Sequence, residues 1–321
     1  MELLNEYISR EIRKENCFDF LRFFFAIALI LSHFCTLTGN GQVLPITGST
    51  AVRAFFTMTG FLVTYSFIRR DCNIVSYAQK RFARIVPAYI MTIIFCMLIG
   101  WWVTSLSTKD FWTSGQTWKY FISNILMLNW LEPELPETFQ NNLWPQMDGS
   151  LWAMKQEVLF YILVPFLIFF IKKIGKIWIC FPLMALCLIA FPFVNAQTQH
   201  FTFFIGGMTT MFFFDIFNKY YKYLFPLSII ALCFSFFEAL AFPMLLVAVA
   251  YHCKPLNFFR KYDNITYGLF LYHFPVIQVL IHYGIADYSL TLCFIITLII
   301  TSILATISWL YIEKPLMNKC A

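Results

Sequence analysis

The sequence carries little charge. Of its 321 residues only 12% are Asp, Glu, Lys or Arg, whereas 60% are hydrophobic and the mean hydropathy is +0.69. A soluble domain holds about twice that share of charged residues, so the composition excludes an ordinary soluble globular protein. We expect an all-α, polytopic integral membrane protein with one domain over residues 1–321 and no soluble segment long enough to fold alone.

Signals of several other protein classes are also missing. The ten cysteines lie mostly in apolar segments, and the loop 105–150 has none. They form neither a disulfide framework nor a metal-ligand spacing, so we expect no metal and no permanently bound cofactor. No internal repeat or low-complexity stretch is detectable. The first apolar segment lacks an Ala-x-Ala-type cleavage site, so we expect it to remain as a membrane span.

The apolar segments predict about ten transmembrane helices. The seventh and eighth are short and contain Pro226 and Pro243, with Glu238 between them, so a single kinked re-entrant unit is the alternative there. The predicted spans are 18–38, 51–68, 85–104, 151–171, 177–194, 200–217, 223–237, 239–252, 265–283 and 289–311.

Lysine and arginine are distributed unevenly between the two sets of loops. Of the 23, one set holds 18 and the other holds 4, with Arg22 inside the first span. Because cytoplasmic loops are enriched in these residues, both termini are predicted to be cytoplasmic. The net charge of +6 then reflects membrane orientation, and nothing indicates a nucleic-acid-binding face. The cytoplasmic set is Arg10, Arg13, Lys14, Arg69, Arg70, Lys80, Arg81, Arg84, Lys172, Lys173, Lys176, Lys219, Lys222, Lys254, Arg260, Lys261, Lys314 and Lys319.

The predicted outer loop 105–150 is acidic and rich in tryptophan. Residues 118–131 form an amphipathic pattern, which predicts a helix lying at the membrane interface. An aromatic belt is the favoured explanation of the tryptophans, and stacking on a sugar is the alternative. Seven of the nine lie on this side: Trp101, Trp102, Trp112, Trp118, Trp130, Trp144 and Trp152.

The first span carries two ionisable residues eleven positions apart, Arg22 and His33. Eleven helical residues make three turns plus roughly 20°, so both side chains project from nearly the same face. His33 then lies about 16 Å beyond Arg22, somewhat past the middle of a bilayer core about 30 Å thick. Ionisable groups at that depth usually face a protein interior or a wet cavity and mark function. Taken alone, a histidine held by a neighbouring helix is an equally good explanation.

Four further features could belong to the same site, and each has a plain structural alternative. Arg81 and Arg84 share a helix face and could clamp a phosphate, or serve only as a positive-inside anchor. Glu157 enters the fourth span by about 9 Å and needs a partner at that depth, for which Lys155 or a neighbouring helix is the structural explanation. His273 lies in the ninth span, where packing is at least as good an explanation. Glu313 ends the tenth span and could form a helix-end ion pair.

The order of these motifs resembles the acyltransferase-3 family of bacterial membrane acyltransferases that modify surface glycans. The resemblance covers nearly the whole chain. It rests on Arg22 with His33, FFTMTGFLV (55–63), Arg81 and Arg84 before Pro87, LWAMKQEVLFY (151–161), YGLFLYHFP (267–275) and the closing Glu313-Lys314-Pro315. The chain departs from the family at Thr59, where serine is usual, at Ala153-Met154 after Trp152, and at Arg53, which affects the acceptor pocket more than the donor site. The sequence ends at Ala321, so we expect the form without a C-terminal hydrolase-like domain.

The resemblance implies an O-acetyltransferase of the bacterial cytoplasmic (inner) membrane. Acetyl-CoA would be the acyl donor, and a glycan or lipid-linked sugar of the O-antigen, capsule or exopolysaccharide type the acceptor; a homodimer stays open. His33 would be the general base, with Glu157 orienting it or holding the acceptor. Residues expected to bind substrate are Arg22, Arg81, Arg84, Thr59, Trp152 and His273.

Two other classes of function remain at this stage. His33, Glu157 and His273 could form the proton relay of a transporter, although neither an inverted repeat nor paired broken helices are present. A non-catalytic partner of a glycan-export system is the third hypothesis. Acetyl transfer from labelled acetyl-CoA by the purified protein distinguishes the enzyme from both.

Overall fold

The computed structural model describes residues 12, 15–41, 45–253, 256 and 265–319. All regular elements within these ranges are helical, as the sequence predicts. The helices are α1 (Phe18–Leu37), α2 (Gly48–Ile68), α3 (Ile74–Val103), α4 (Thr108–Thr113), α5 (Gly115–Ile125), α6 (Trp152–Ile174), α7 (Lys176–Ala190), α8 (Ala196–Phe212), α9 (Phe214–Ala231), α10 (Ser235–His252), α11 (Thr266–His282), α12 (Ile285–Tyr288), α13 (Leu290–Ser308) and α14 (Lys314–Lys319).

Each predicted span corresponds to a helix, but fewer helices have the length and apolarity of a full crossing. Five of the described helical segments do, and a sixth appears if α8 and α9 are counted as one bent span. The count of ten and the cytoplasmic position of the termini therefore stay predictions. Six of the basic residues used for that orientation lie outside the described residues: Arg10, Arg13, Lys14, Lys254, Arg260 and Lys261.

The chain bends by 104° between α8 and α9, at Phe213. The sequence predicted the break a few residues later, at Lys219 and Lys222, but both residues lie inside α9. Pro226 and Pro243 do not interrupt their segments either, because they lie inside α9 and α10. A proline removes one backbone donor and need not end a helix that is held by its neighbours.

The predicted outer loop contains its amphipathic helix in a shorter form. Helix α5 ends at Ile125, and a separate 3₁₀ turn follows at Asn129–Leu131. Met127, with φ of 59°, makes the break between them. One face of α5 buries Tyr120 and Asn124, while Trp118 and Ile122 on the other face are exposed. This two-faced burial is typical of a helix at a membrane interface.

The chain forms two compact units, each assembled from segments that are distant in sequence. The first comprises Met1–Phe25, Ser49–Tyr77 and Leu159–Asp263, and the second comprises Ala26–Gly48, Ala78–Val158 and Asn264–Ala321. The expectation of one domain over 1–321 is not tested by this division.

Two glycines let helices α2 and α8 touch backbone to backbone in the first unit. A Cβ atom on Gly60 would lie 2.0 Å from the carbonyl oxygen of Phe204, and one on Gly207 would lie 2.1 Å from that of Thr57. Small residues at such crossings allow the close packing that associates helices in membranes. Gly60 of the Thr59-Gly60-Phe61 motif therefore has a packing role.

Helices α11 and α13 make the corresponding close contact in the second unit. A Cβ on Gly268 would lie 2.7 Å from the Cα of Ala305. Further along the same helices, Phe274 and Ile277 pack with Cys293 and with Phe34 and Leu37 of α1. This core fixes the relative positions of the C-terminal part of α1 and helix α11, which carry the two histidines of interest.

Candidate functional site

His33 of α1 and His273 of α11 form a direct pair in the second unit. The Nδ1 atom of His33 lies 2.6 Å from Nε2 of His273, which is hydrogen-bonding distance. His273 is fully buried, whereas His33 is partly exposed. The pair joins two of the sequence motifs that are 240 residues apart.

His273 is itself tied to the backbone of its own helix. Its Nδ1 lies 2.7 Å from the carbonyl oxygen of Phe270 and 3.2 Å from that of Leu269. Because α11 is packed closely against α13 at Gly268, these carbonyls are part of a rigid element. The buried ring of His273 therefore has a fixed orientation, and His33 contacts it from α1.

The Phe274 ring also contacts His33. It meets the His33 ring edge to face, with the centroids 5.6 Å apart. Behind Phe274 lies Gly149, where an added Cβ would come within 2.9 Å of the phenyl ring. The segment before α6 thus supports His33 through one intervening aromatic ring.

Gln278, one helical turn beyond Phe274, fastens the predicted outer loop to α11. It is fully buried, and its side-chain amide donates to the carbonyls of Trp144 and Gln146. In return, Asn142 donates to the Gln278 side-chain and backbone oxygens at 2.9 and 3.0 Å. A buried amide with this many partners positions the loop segment 142–146 over the histidine-bearing helix.

A polar cavity of about 560 Å³ opens next to this loop. Leu37 at its wall is one helical turn beyond His33, a rise of about 6 Å along α1. The volume of the cavity is that of a small-molecule site. The polar side chains around it are those of Thr38, Asn40, Asn141, Asn142, His282, Asp287, Tyr288 and Ser289. Amide, hydroxyl and carboxylate groups together can donate to and accept from the hydroxyls of a sugar.

Asp148 is a buried carboxyl group just before α6, and it is 2% exposed. Its Oδ1 accepts hydrogen bonds from the Ser150 backbone N–H at 2.9 Å and hydroxyl at 2.7 Å, while Oδ2 has no partner among the described residues. Burial raises the pKa of Asp148 from 3.8 to about 7, and the Ser150 hydrogen bonds oppose that rise only in part. The neutral acid therefore predominates below about pH 7.

We expect the Asp148→Asn variant to lose part of the pH dependence of stability. The folded pKa lies above the unfolded one, so the stabilisation is complete below pH 3.8 and is lost as pH rises through about 7. The full loss is on the order of 4 kcal/mol. Asparagine stays neutral, so the thermal midpoint in detergent should fall less between pH 5 and pH 8 than in the wild type. The exposed Asp110→Asn variant is the control, and equal slopes for Asp148→Asn and wild type would contradict the assignment.

Arg84 and Glu313 bring the third and last sequence motifs together in the second unit. Glu313 is 1% exposed and closes a π-helical turn, Trp309–Glu313. Ser308 donates to its carboxylate at 3.2 Å, and the Arg84 guanidinium is near enough to interact with its charge. π-Turns occur frequently at functional sites. The hydroxyl of Tyr267, in the same motif as His273, donates to the carbonyl of Ile85 at 3.0 Å beside Arg84.

The other predicted site residues lie on α1, α2, α3 and α6. In the first unit, Arg22 pairs with Asp19 at 2.9 Å, and Thr59 lies half-buried on α2. In the second unit, Trp152 begins α6 and Glu157 lies half-buried on its second turn, while Arg81 precedes Arg84 by one turn of α3. Within the predicted set, His33 and His273 are joined by a direct hydrogen bond.

Sequence reasoning missed three polar features. Gln278 and Asp148 were not predicted as site residues, although Gln278 is a polar side chain inside an apolar span and could have been noticed on that ground. Arg53 and Glu238, noted only separately, form an ion pair in the first unit, and Arg53 also lies over the Phe203 ring at 5.1 Å. A single sequence gives no signal that joins positions 185 residues apart.

Comparison with known proteins identifies the family of this chain. The sequence model of the acyltransferase-3 family, described as an acyltransferase domain, matches residues 15–311. An O-acetyl transferase of Shigella phage Sf6 is 30% identical over 173 residues, which are 52% of this chain and 50% of the relative. Acyltransferase MdmB of Streptomyces mycarofaciens is 28% identical over 189 residues, 55% of this chain and 46% of the relative. The chain thus spans about half the length of these two relatives.

Nodulation protein 10 of Rhizobium leguminosarum bv. viciae aligns more fully, at 25% identity over 94% of this chain and 93% of the relative. No solved structure matches the chain. The family match includes Arg22, His33, Arg84 and His273 and covers most of the sequence. This confirms the resemblance drawn from the motifs: the chain belongs to the acyltransferase-3 family.

Proposed function

We propose that this protein is a membrane O-acetyltransferase that moves an acetyl group from acetyl-CoA to a hydroxyl of a cell-surface or lipid-linked glycan. The observation that carries the proposal is the partly exposed ring of His33, held by a buried histidine one turn from a polar cavity. Family membership supports acyl transfer, and the names of two relatives, an O-acetyl transferase and an acyltransferase, agree with it.

His33 acts as the general base in the proposed reaction. Its ring takes the proton of the acceptor hydroxyl as that oxygen attacks the thioester carbonyl. The new C–O bond forms, the C–S bond breaks, and the departing thiolate takes up the proton that His33 holds. The products are an acetyl ester and coenzyme A. Glu157, half-buried on α6, is assigned to orient the acceptor together with Trp152.

Arg81 and Arg84 are assigned to the phosphates of coenzyme A. They lie on the side that the charge pattern predicts to be cytoplasmic, where coenzyme A is found, and a guanidinium fork matches phosphate oxygens. Glu313 next to Arg84 would hold the guanidinium in place. Arg22, eleven residues before His33 in the sequence, is assigned to the donor on the family resemblance alone. The acceptor would enter through the polar cavity on the opposite side of the bacterial cytoplasmic membrane.

Purified protein in lipid nanodiscs tests the proposal. With acetyl-CoA labelled in the acetyl group and an extract of surface glycan, we expect release of coenzyme A and a glycan whose mass has increased by one acetyl group. Cells lacking the protein should have unacetylated glycan. A transporter or a non-catalytic export partner would leave the label on coenzyme A, and that result would overturn the proposal.

We expect Arg84→Lys and Arg81→Lys each to weaken acetyl-CoA binding by about tenfold, because lysine keeps the charge but loses the bidentate fork. Titration of detergent-solubilised protein measures this. Arg69→Lys is the matched control, since Arg69 is an exposed arginine in the basic segment after α2. Unchanged affinity in the Arg81→Ala, Arg84→Ala double variant would leave these residues with a topological role only.

A further inference from the structure

The atoms around His273 determine where its proton lies. Its Nδ1 is 2.7 and 3.2 Å from two backbone carbonyl oxygens. A carbonyl oxygen can only accept a hydrogen bond, so Nδ1 must be the protonated nitrogen. In a neutral imidazole the other nitrogen then carries a lone pair. The Nε2 atom of His273 is therefore an acceptor.

The acceptor on His273 in turn determines the tautomer of His33. The Nδ1 atom of His33 lies 2.6 Å from Nε2 of His273. Because His273 Nε2 carries a lone pair, the proton of this hydrogen bond must belong to His33. His33 thus carries its proton on Nδ1, and Nε2 holds the free lone pair. No other hydrogen bond to the His33 ring occurs among the described residues.

The two rings lie end to end in one plane, which is the arrangement that a strong ring-to-ring hydrogen bond requires. Their planes differ by 4° while the centroids are 4.9 Å apart. The 2.6 Å between the two nitrogens, together with the distance from each nitrogen to its own ring centroid, accounts for the whole centroid separation, so the two centroids and the two nitrogens lie nearly on one line. The contact between the histidines is therefore a hydrogen bond in the ring plane and not a stack.

We propose that His273 is a positioning residue for the catalytic base: a chain from the Phe270 carbonyl through His273 to His33 fixes the tautomer of His33 and aims its Nε2 lone pair at the acceptor hydroxyl. This inference rests on the proposed function of His33. It assigns to His273 a role other than substrate binding, which the sequence had suggested for it.

The other proton placements conflict with the structure. With the proton of His273 on Nε2, the lone pair on Nδ1 would face two carbonyl oxygens. With protons on both nitrogens, a net charge would lie on a ring with no exposed surface and no carboxylate hydrogen-bonded to it among the described residues. Either arrangement is costly at a buried position, and the neutral Nδ1–H form of His273 avoids both.

The hydrogen bonds from the Phe270 carbonyl through His273 to His33 also favour the transition state over the ground state. When His33 takes the acceptor's proton it becomes positively charged, and its bond to His273 becomes charge-assisted and stronger. Interactions that strengthen as the reaction proceeds raise the rate of the chemical step itself. We therefore expect loss of His273 to lower kcat and to leave the KM values for donor and acceptor nearly unchanged.

A matched pair of substitutions tests this. His273→Met places an apolar side chain of similar length at this position and provides no acceptor for the His33 proton, so kcat should fall by about 10²–10⁴-fold because the base loses its fixed tautomer. His273→Gln can present its amide oxygen at about the position of Nε2, and we expect it to recover at least tenfold over His273→Met. Equal kcat for the two variants, or wild-type kcat for His273→Met, would overturn the proposal.

Nitrogen NMR of the histidine rings gives a readout that a merely structural role would not move. The chain has only five histidines, so His33 can be assigned by difference with the His33→Gln variant in ¹⁵N-labelled protein. We expect a protonated Nδ1 and an unprotonated Nε2 on His33 in the wild type, and loss of that preference in His273→Met. A proton on Nε2 of wild-type His33 would overturn the proposal that His273 fixes its tautomer.

The NMR readout needs no turnover, and this separates the two proposals. If the wild type shows the expected tautomer but no acetyl transfer, the positioning of His33 by His273 stands and the proposed function fails. If acetyl transfer depends on His33 but its tautomer is the opposite one, the proposed function stands and the role of His273 is wrong.

Discussion

Replacing His33 by glutamine is expected to abolish acetyl transfer while the protein remains folded. The amide cannot take up the acceptor's proton, so the loss should be about 10²–10⁴-fold or greater. Its N–H can still donate to Nε2 of the buried His273, so the contact between α1 and α11 survives. Acetyl-CoA turnover by purified protein, together with acetylation of the surface glycan in cells, measures the effect. Affinity for acetyl-CoA should stay at the wild-type value.

The control is the His252→Gln variant, which changes an exposed histidine stacked on Tyr221. It should transfer acetyl groups at the wild-type rate. Substantial glycan acetylation by His33→Gln or His33→Ala protein would remove His33 from the mechanism. Loss of acetyl-CoA binding in these variants would instead assign His33 to donor binding.

Replacing Gly60 by alanine is expected to have the largest effect on stability. The new methyl group would have to occupy a position 2.0 Å from the carbonyl oxygen of Phe204, and a backbone atom in the middle of a helix cannot move aside by itself. Helices α2 and α8 would have to separate, with loss of packing along their contact. Overpacking commonly costs 1–3 kcal/mol and, with backbone on both sides, we expect about 3 kcal/mol or more.

Thermal unfolding in detergent and the yield of purified protein test this prediction. Gly115→Ala is the matched control, because no atom lies within 4 Å of a Cβ at that position. Gly207→Ala should destabilise as Gly60→Ala does. The double variant should cost less than the sum of the two, since both methyl groups push the same two helices apart. A Gly60→Ala protein as stable as Gly115→Ala would refute the close contact.

Much of the helical layout could be predicted because membrane helices are specified locally. A run of apolar residues is enough to specify such an element, so α1, α2, α11 and α13 begin and end within a few residues of their predicted limits. The bend at Phe213 was misplaced because Lys219 and Lys222 suggested a loop. Charged residues near a span end indicate sidedness but do not stop a helix, since their side chains can extend toward water.

The candidate site was predictable only in part. The depth of His33 in its span singled it out as a residue that needs an explanation, and the family motifs named His273. Their hydrogen bond could not be derived, because it depends on how α1 meets α11 across 240 residues of sequence. Gln278 and Asp148 were missed for a related reason. Their importance lies in which groups they are buried against, and a single sequence contains no record of burial.

The outer loop shows how such tertiary information completes the site. Gln278 and Asn142 tie the loop to α11, and Gly149 lets the segment before α6 approach Phe274. None of the residues in these contacts has an ionisable side chain. Composition and charge pattern, which were sufficient to predict the membrane protein, contain no signal for contacts of this kind.

The two backbone carbonyls that hold His273 also bear on how much charge the site introduces into the membrane. An aspartate could orient His33 equally well, but it would carry a full negative charge into a region of low dielectric, where an ion pays a desolvation penalty of several kcal/mol. Peptide carbonyls provide the same directional pull with no net charge, and an α-helix supplies them at every residue. In an enzyme whose base lies in a bilayer, these hydrogen bonds therefore carry no net charge at rest. Charge develops on them only while the acyl group is being transferred.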